Sequence, residues 1–426
     1  MAKARVVITG LGVLSPNAHG AEHFHSALRS GESGVRFIEE LARLGFSCQV
    51  GGLPRDADAL EQRYFSAEQR YAMNSNIAYA GIAAIDAWED AGLRRPTGED
   101  DNVDWDAGAV IGTGIAGMET IAGTLVPGVS AGRVQRLGST MVEQIMASGN
   151  SARVAGLLGL GNQVSTNSAA CATGTEAIAQ AFLRVRDGYA KRMLAGGSEG
   201  SSPFVWAGFD AMRVLNRRHN QRPSEASRPL SATSGGFVPG AGAGVLLLEE
   251  LESAKRRGAR IYAEIAGACT NCGGQRMGGS MTAPNREGVR RCIREAVRMA
   301  GIAPRDIGAI NGHLTGTMAD PIEVENWARA LELEPDAMPL LHSTKSLIGH
   351  TLAAAGGIET VACALELYHG FVHPSVNCVD VHPEIAAYAD RIAHESRSVP
   401  DLRYVAKASF GFGDVNACLI LSRWNG

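Results

Sequence analysis

No apolar run in the 426 residues approaches the roughly 20 that a membrane-spanning helix needs, so no span is expected. There is no long basic run either. Forty basic residues face forty-four acidic ones, for a net charge of −4. That balance argues against nucleic-acid binding by phosphate neutralisation and leaves room only for a local basic patch facing an acidic partner. The eight cysteines (48, 171, 269, 272, 292, 363, 378 and 418) are too scattered for a disulfide framework and read as reduced thiols. MAKARVVITGLGVLSP lacks the apolar stretch and small-residue cleavage site of a secretion signal, so a cytoplasmic protein is expected. Proline is limited to 16 residues and glycine shows no three-residue period, which excludes a collagen-like chain. What is present in excess is glycine, 52 of 426 residues or about 12%, against a usual figure of roughly 7%.

Short β-branched runs alternate with Ala-rich stretches, the pattern of a layered α/β fold. Strands are expected at Arg5–Thr9, Ala109–Gly112, Asn162–Thr166, Arg192–Ala195, Gly244–Leu248, Ile261–Ala266, Gly308–Asn311, Pro339–Ser343, Tyr404–Ser409 and Ala417–Ser422. Helices are expected at Tyr71–Ala91, Gly174–Asp187, Arg286–Met299 and Gly357–Tyr368. An internal repeat accompanies them. Gly174-Thr-Glu-Ala-Ile-Ala-Gln-Ala and Gly357-Ile-Glu-Thr-Val-Ala-Cys-Ala share one pattern, and each follows a strand that ends in a polar turn. The Phe/Gly loop and strand after Gly235 likewise echo those after Phe410. The reading is two related halves, 1–258 and 259–426, with a site between their loops; the alternative is unrelated segments sharing helix-start chemistry.

Several motifs mislead. Gly112-Thr-Gly-Ile-Ala-Gly117 fits a dinucleotide fingerprint, but 129–140 lacks the acidic residue that should follow, so a tight turn is expected. Gly196-Gly-Ser-Glu-Gly200 fits a hydrolase elbow but does not run directly into a helix. Cys269-Thr-Asn-Cys272 has no second pair to complete a zinc site. His19, His23 and His25 read as surface or capping residues.

Three strand-end segments carry chemistry. Cys171 lies between an apolar strand and an Ala-rich helix, where free N–H groups and the helix dipole favour thiolate. His313 follows a strand in Ile310-Asn-Gly-His-Leu-Thr-Gly-Thr317. Lys345 and His350 sit in Ser343-Thr-Lys-Ser-Leu-Ile-Gly-His-Thr351. Each residue alone could be packing. Together, at the carboxyl ends of strands where α/β proteins gather ligands, they form a covalent-catalysis set.

These segments, with Ser409-Phe-Gly-Phe-Gly-Asp-Val-Asn416, resemble the elongating β-ketoacyl-acyl carrier protein synthases, condensing enzymes of the thiolase fold, over nearly the whole chain. The resemblance implies two α/β halves in a layered αβαβα sandwich. It implies that Cys171 carries the acyl chain while His313 and His350 promote decarboxylation of malonyl-carrier protein, and that the carbanion then attacks the thioester. It further implies an oxyanion hole from the N–H groups of Cys171 and Phe410, with Phe410 as gate. Lys345 would pair with Glu359, Thr315 and Thr317 would bind the pantetheine arm, and Ile115 and Phe412 would line the substrate site. No metal or dissociable cofactor is implied, the substrates riding on the 4′-phosphopantetheine arm of an acyl carrier protein. The implied assembly is a homodimer, with a heterodimer suited to a specialised pathway.

The departures are specific. Gly312, Leu314 and Gly316 stand where the family has Ala, Gly and Ser. Ala241 and Asp414 stand where Glu and Gly are usual, and Asp320-Pro-Ile-Glu323 lies one residue closer to the His than usual, which leaves the supporting role of Asp320 open. They point toward a specialised polyketide or polyene ketosynthase as the alternative to fatty-acid elongation. A thiolase is disfavoured because Cys418 lies inside the last strand, and a non-catalytic chain-length subunit because Cys171 is present.

Overall fold

The computed structural model describes residues 3–97, 102–276 and 278–426. All ten expected strands are found, as β1 (Val6–Leu14), β2 (Ala107–Gly112), β3 (Val164–Ser165), β4 (Arg192–Glu199), β5 (Gly242–Glu250), β6 (Ala263–Cys272), β7 (Ile307–Asn311), β8 (Leu340–His342), β9 (Tyr404–Gly411) and β10 (Val415–Ser422). They hydrogen-bond in the order β3-β2-β4-β5-β1-β6-β10-β9-β7-β8. The first five and the last five follow the same plan about the centre. In one half β2 runs parallel to β3 and β4, while β5 is antiparallel to β4 and β1. In the other β7 runs parallel to β8 and β9, while β10 is antiparallel to β9 and β6. The halves join where Val7 and Ile8 of β1 meet Glu264 and Ala263 of β6. The repeated segments occupy equivalent places, β3 with β8 and β5 with β10.

Six longer helices complete the layers: α1 (Ser75–Asp90), α2 (Gly149–Leu158), α3 (Thr173–Arg186), α4 (Arg286–Ala300), α5 (Asp320–Leu331) and α6 (Ala355–His369). Helices α1 and α2 cover the outside of the first half; α4 covers the second, with α5 against it. Helices α3 and α6 each touch strands of both halves and make the middle layer. Their sequences explain the placement. Every α6 residue from Ala355 to Leu367 is buried, since the helix is apolar on most of its circumference and carries only Glu359, Thr360 and Glu366 as polar residues in that stretch. In contrast, α4 buries one stripe, Val289, Cys292, Ile293, Ala296 and Val297, and turns its arginines outward. Each Leu or Ile so enclosed contributes about 1.5–3 kcal/mol of burial.

The repeat glycines allow the two middle helices to cross. A Cβ on Gly174 would lie 2.7 Å from the Gly357 nitrogen and 2.8 Å from the Ala353 carbonyl oxygen. Only a residue without a side chain permits that approach.

Candidate active site

The carboxyl ends of β3, β7, β8 and β9 deliver the candidate residues to one place. Between β3 and α3, Ala170 adopts a positive φ of 47°, uncommon for a residue with a Cβ. Thr173 secures the turn: its Oγ1 accepts from the Ala169 N–H at 2.8 Å and donates to the Ala170 carbonyl at 2.6 Å. Cys171, 9% exposed, is thereby aimed between the halves. Its sulfur and one ring nitrogen each of His313 and His350 all lie within 4.8 Å of one another.

The thiol is not the acidified group expected from a helix N-terminus. Burial pushes it up to about 11, opposed by the Lys345 charge and by the backbone N–H groups of Phe412 and of Cys171 itself. The same contacts show which backbone N–H of the loop after β9 faces the sulfur. The N–H facing the sulfur belongs to Phe412, not Phe410. Phe410 lies within β9 opposite Asn416, and its ring meets His313 edge-on at 6.3 Å.

The imidazoles face each other at 5.2 Å and 82°. The His350 Nδ1 accepts the Leu352 N–H at 3.2 Å, which leaves Nε2 as the nitrogen that carries the proton. The backbone N–H of His350 donates to the Val238 carbonyl at 2.7 Å. The His313 Nδ1 has no partner among the described residues. Burial first, and then the Lys345 charge, holds both rings well below the ordinary histidine range, so both are neutral.

Two buried carboxylates hold the His313 loop. Glu323 accepts the N–H groups of His313 (2.7 Å) and Leu314 (2.8 Å). Asp320 accepts those of Thr315 (2.8 Å), Gly316 (3.0 Å) and Leu230 (2.9 Å). The one-residue shift therefore leaves both carboxylates supporting this loop. The Leu314 side chain is absorbed into the core beside Ile310 and Val324. It also accounts for Gly312, because a Cβ there would come within 2.8 Å of both Leu314 and the Glu323 carboxylate. The Thr315 and Thr317 hydroxyls lie 3.0 Å apart and half-buried.

Two motifs dismissed in the sequence combine here. Glu199, from the Gly196–Gly200 motif, places a buried carboxylate against the N–H groups of Gly114 (3.1 Å) and Ile115 (3.2 Å) in the glycine turn, and of Ala353 (3.3 Å). The turn is an anion cradle, but the anion is the protein's own. Burial pushes Glu199 up to about 7. Ile115 is half-buried and borders a small cleft with Met118 and Val205.

Lys345 is buried and forms an ion pair with Glu359, across the turn that leads into α6. A second lysine, Lys407 of β9, meets the other oxygen of the same carboxylate at 2.8 Å. Sequence reading missed Lys407, although a lone lysine in the apolar run Tyr404-Val-Ala-Lys-Ala-Ser was a visible signal. It also missed the aromatic wall in which Phe209 meets Phe237 at 5.5 Å and Phe412 at 6.2 Å, while Phe237 packs on His350 at 5.2 Å. Asp414, in the left-handed region at φ 62°, buries its carboxylate against the N–H groups of Gln275 (2.9 Å) and Asn285 (2.8 Å). It thereby fastens the Phe412 loop to the backbone at Gln275 and Asn285.

The Cys171, His313 and His350 ligand atoms are close enough to share a metal ion, as are those of the buried set His342, Glu366 and His373 behind them. In that second set the His373 Nδ1 donates to the Pro374 carbonyl at 2.9 Å, while its Nε2 stands 3.1 Å from the His342 Nδ1. Cys269 is half-buried and Cys272 exposed. His19 pairs with Asp86 at 2.9 Å, and His25 stacks on His369. No helix of the described residues is long and apolar enough to cross a membrane.

Comparison with known proteins gives a consistent result. The family described as "Beta-ketoacyl synthase, N-terminal domain" matches residues 3–254, and its "C-terminal domain" counterpart matches 262–379. The chain is 38% identical to a 3-oxoacyl-[acyl-carrier-protein] synthase 2 of Vibrio harveyi, over 99% of both chains. Among solved structures, the ishigamide ketosynthase/chain length factor superposes with a TM-score of 0.88 at 30% identity, covering 100% of both chains. A ketosynthase in complex with its type II PKS acyl-carrier protein superposes with a TM-score of 0.86 at 30% identity, over 99% of this chain and 100% of that one.

Proposed function

The chain belongs to the β-ketoacyl synthase family, and on that footing we propose roles for its residues in the decarboxylative condensation that extends an acyl chain by two carbons. The observation that carries the proposal is the convergence of one thiol and two neutral imidazoles within 4.8 Å at the strand ends of two related halves. The division between the halves is placed at 258/259.

In the first step the Cys171 sulfur attacks the thioester carbonyl of an acyl-carrier protein. The N–H groups of Phe412 and Cys171 donate to the oxyanion, the kind of preorganised donor that stabilises developing charge. The pantetheine thiol leaves with the proton that Cys171 gives up. Malonyl-carrier protein then enters, its pantetheine arm bound by Thr315 and Thr317. As CO2 departs, the electron pair of the broken bond moves to the thioester carbonyl oxygen. His350, through its Nε2–H, and His313 donate to that enolate, and their neutrality suits them to be donors. The carbanion forms the new C–C bond at the acyl carbon, the C–S bond breaks, and Cys171 is regenerated. Glu323 and Asp320 hold the His313 loop, the pair Lys345–Glu359 supports the Cys171 side, and Ile115 and Phe412 border the acyl chain. No step draws on a metal or a dissociable cofactor. The acyl carrier protein is the partner, the assembly a homodimer, and the compartment the cytoplasm.

A second reading, chain extension in a polyketide or polyene pathway beside a chain-length subunit, is favoured by Asp414 and the tether it gives the Phe412 loop. In both readings Cys171 is the acyl acceptor. Incubation with acyl- and malonyl-carrier proteins should add the acyl mass to Cys171 and release CO2. Absence of acylation with every chain length in a panel would refute both readings. Replacing Cys171→Gln should abolish condensation and retain decarboxylation.

A further inference from the structure

Lys407 is a cation with no exposure, in a strand whose neighbours Ala406, Ala408 and Ser409 are equally buried. An isolated ammonium in such a place is costly unless it is paired and hydrogen-bonded. Here it meets the Glu359 carboxylate at 2.8 Å and donates to the Ala408 carbonyl and, at 3.0 Å, to the Ser409 hydroxyl. The same carboxylate is the partner of Lys345. Two lysines therefore share one carboxylate, which places one more basic than acidic group in this cluster inside the protein.

The placement of the trio is specific. Glu359 belongs to α6, Lys345 to the turn that presents His350, and Lys407 to the strand that runs into the Phe412 loop. The Ser409 hydroxyl continues the chain to the Thr175 hydroxyl, 2.8 Å away in the first turn of α3, just after Cys171. One connected set of buried groups thus ties the helix behind the thiol, the turn behind His350 and the strand behind the oxyanion donor. We infer that Lys407 is a positioning residue, whose fixed charge shares Glu359 with Lys345 so that an uncompensated positive charge stays beneath Cys171.

Two consequences follow at the reacting atoms. A single Lys345–Glu359 pair would be electrically neutral, and its field at the sulfur would largely cancel. With Lys407 the field favours thiolate and, later, the oxyanion and enolate, while disfavouring imidazolium at His313 and His350. The other charged or titratable groups around the sulfur are those two rings and Glu199, which alone could contribute negative charge there. Around Lys407 itself stand Glu359, Lys345, the rings of His313, His342 and His350, and the thiols of Cys363 and Cys418.

The inference rests on Cys171 being the acyl acceptor, but it can be tested without any condensation assay. The probe is the rate of Cys171 alkylation by iodoacetamide at pH 8, followed by mass spectrometry, with thermal melting read in parallel. Lys407→Met, which keeps length and removes charge, should slow alkylation about tenfold, the equivalent of one pKa unit. Lys407→Arg should hold the wild-type rate within a factor of about two. Should the Met variant not fold, Lys407→Ala refolded in methylammonium takes its place, and alkylation should rise with the amine. A folded Met variant that reacts like wild type would overturn the inference. So would an Arg variant as slow as the Met variant, or an Ala variant indifferent to methylammonium. Failure of acyl transfer in the wild type would instead sink the condensation roles and leave the alkylation comparison standing.

Discussion

A cysteine at the start of a helix is a familiar sign of an acidified thiol, yet burial outweighs the helix here and raises Cys171 to about 11. Cys171 is kept as a protected thiol whose reactivity depends on the charges and N–H donors around it. Asp414 shows a comparable conflict. A residue with a Cβ in the left-handed region carries strain, and the return is a carboxylate that accepts two backbone N–H groups from the facing loop. Gly273 and Gly279 make room for it, since a Cβ on either would fall within 3 Å of that carboxylate. Asp414→Asn can accept only one of the two bonds and should cost about 1–3 kcal/mol by leaving one donor unsatisfied. The check is a shift in the denaturation midpoint together with faster amide exchange at Gln275 and Asn285. Unchanged protection at both amides would show that the carboxylate does not fasten the loop.

The strands were legible because their residues alternate little and stay apolar, as strands covered on both faces do. The four expected helices were found within a few residues of their observed ends, with Tyr71–Ala91 shortened to Ser75–Asp90 by the Asn74 cap. Helices α2 and α5 went unread: α2 is interrupted by glycines, and α5 begins inside the Asp320-Pro-Ile-Glu323 motif. The repeat was visible, but the reason for its glycines was not. Gly174 is required because α3 and α6 cross at their first turns, and Gly357 because α6 lies directly on Gly244 of β5. Gly174→Ala should therefore lower the denaturation midpoint by about 1–3 kcal/mol of overpacking, or more where the backbone cannot yield. It should also reduce Cys171 acylation, because the helix that presents the thiol must shift. A midpoint equal to that of wild type would contradict this account of the crossing.

At the scale of the molecule, two five-stranded halves enclose α3 and α6 and bury several carboxylates to hold the active-site loops. Glu199 is the clearest case, with an ordinary value of 4.5 raised to about 7 by burial. A carboxyl that binds its proton more tightly in the folded state stabilises the fold at low pH, and this contribution is lost as pH rises from about 4.5 through 7. The loss is on the order of 3–4 kcal/mol, at about 1.4 kcal/mol for each tenfold change in proton affinity. Glu199→Gln should remove that component, so the melting temperature should fall less steeply between pH 5 and pH 8 than in wild type. Parallel curves for the two proteins would exclude it.

The sequence by itself determined the strand set, the repeat and the strand-end segments that bring Cys171, His313, His350 and Lys345 together, because local patterning and strand-end motifs are properties of short segments. Glycine excess was visible there too, as a count without a cause. The tertiary structure decided which N–H faces the thiol, Phe412 rather than Phe410, because a two-residue offset along a strand end depends on where the strand stops pairing. It decided that Glu199 fills the glycine turn, that Leu314 and Gly312 compensate each other, and that Lys407 shares Glu359 with Lys345. Those relations join residues 2 to 241 positions apart, and only tertiary packing, within and between the halves, brings them within hydrogen-bonding or van der Waals distance. The balance between burial and charge that sets the thiol and the carboxylates arises from the same enclosure.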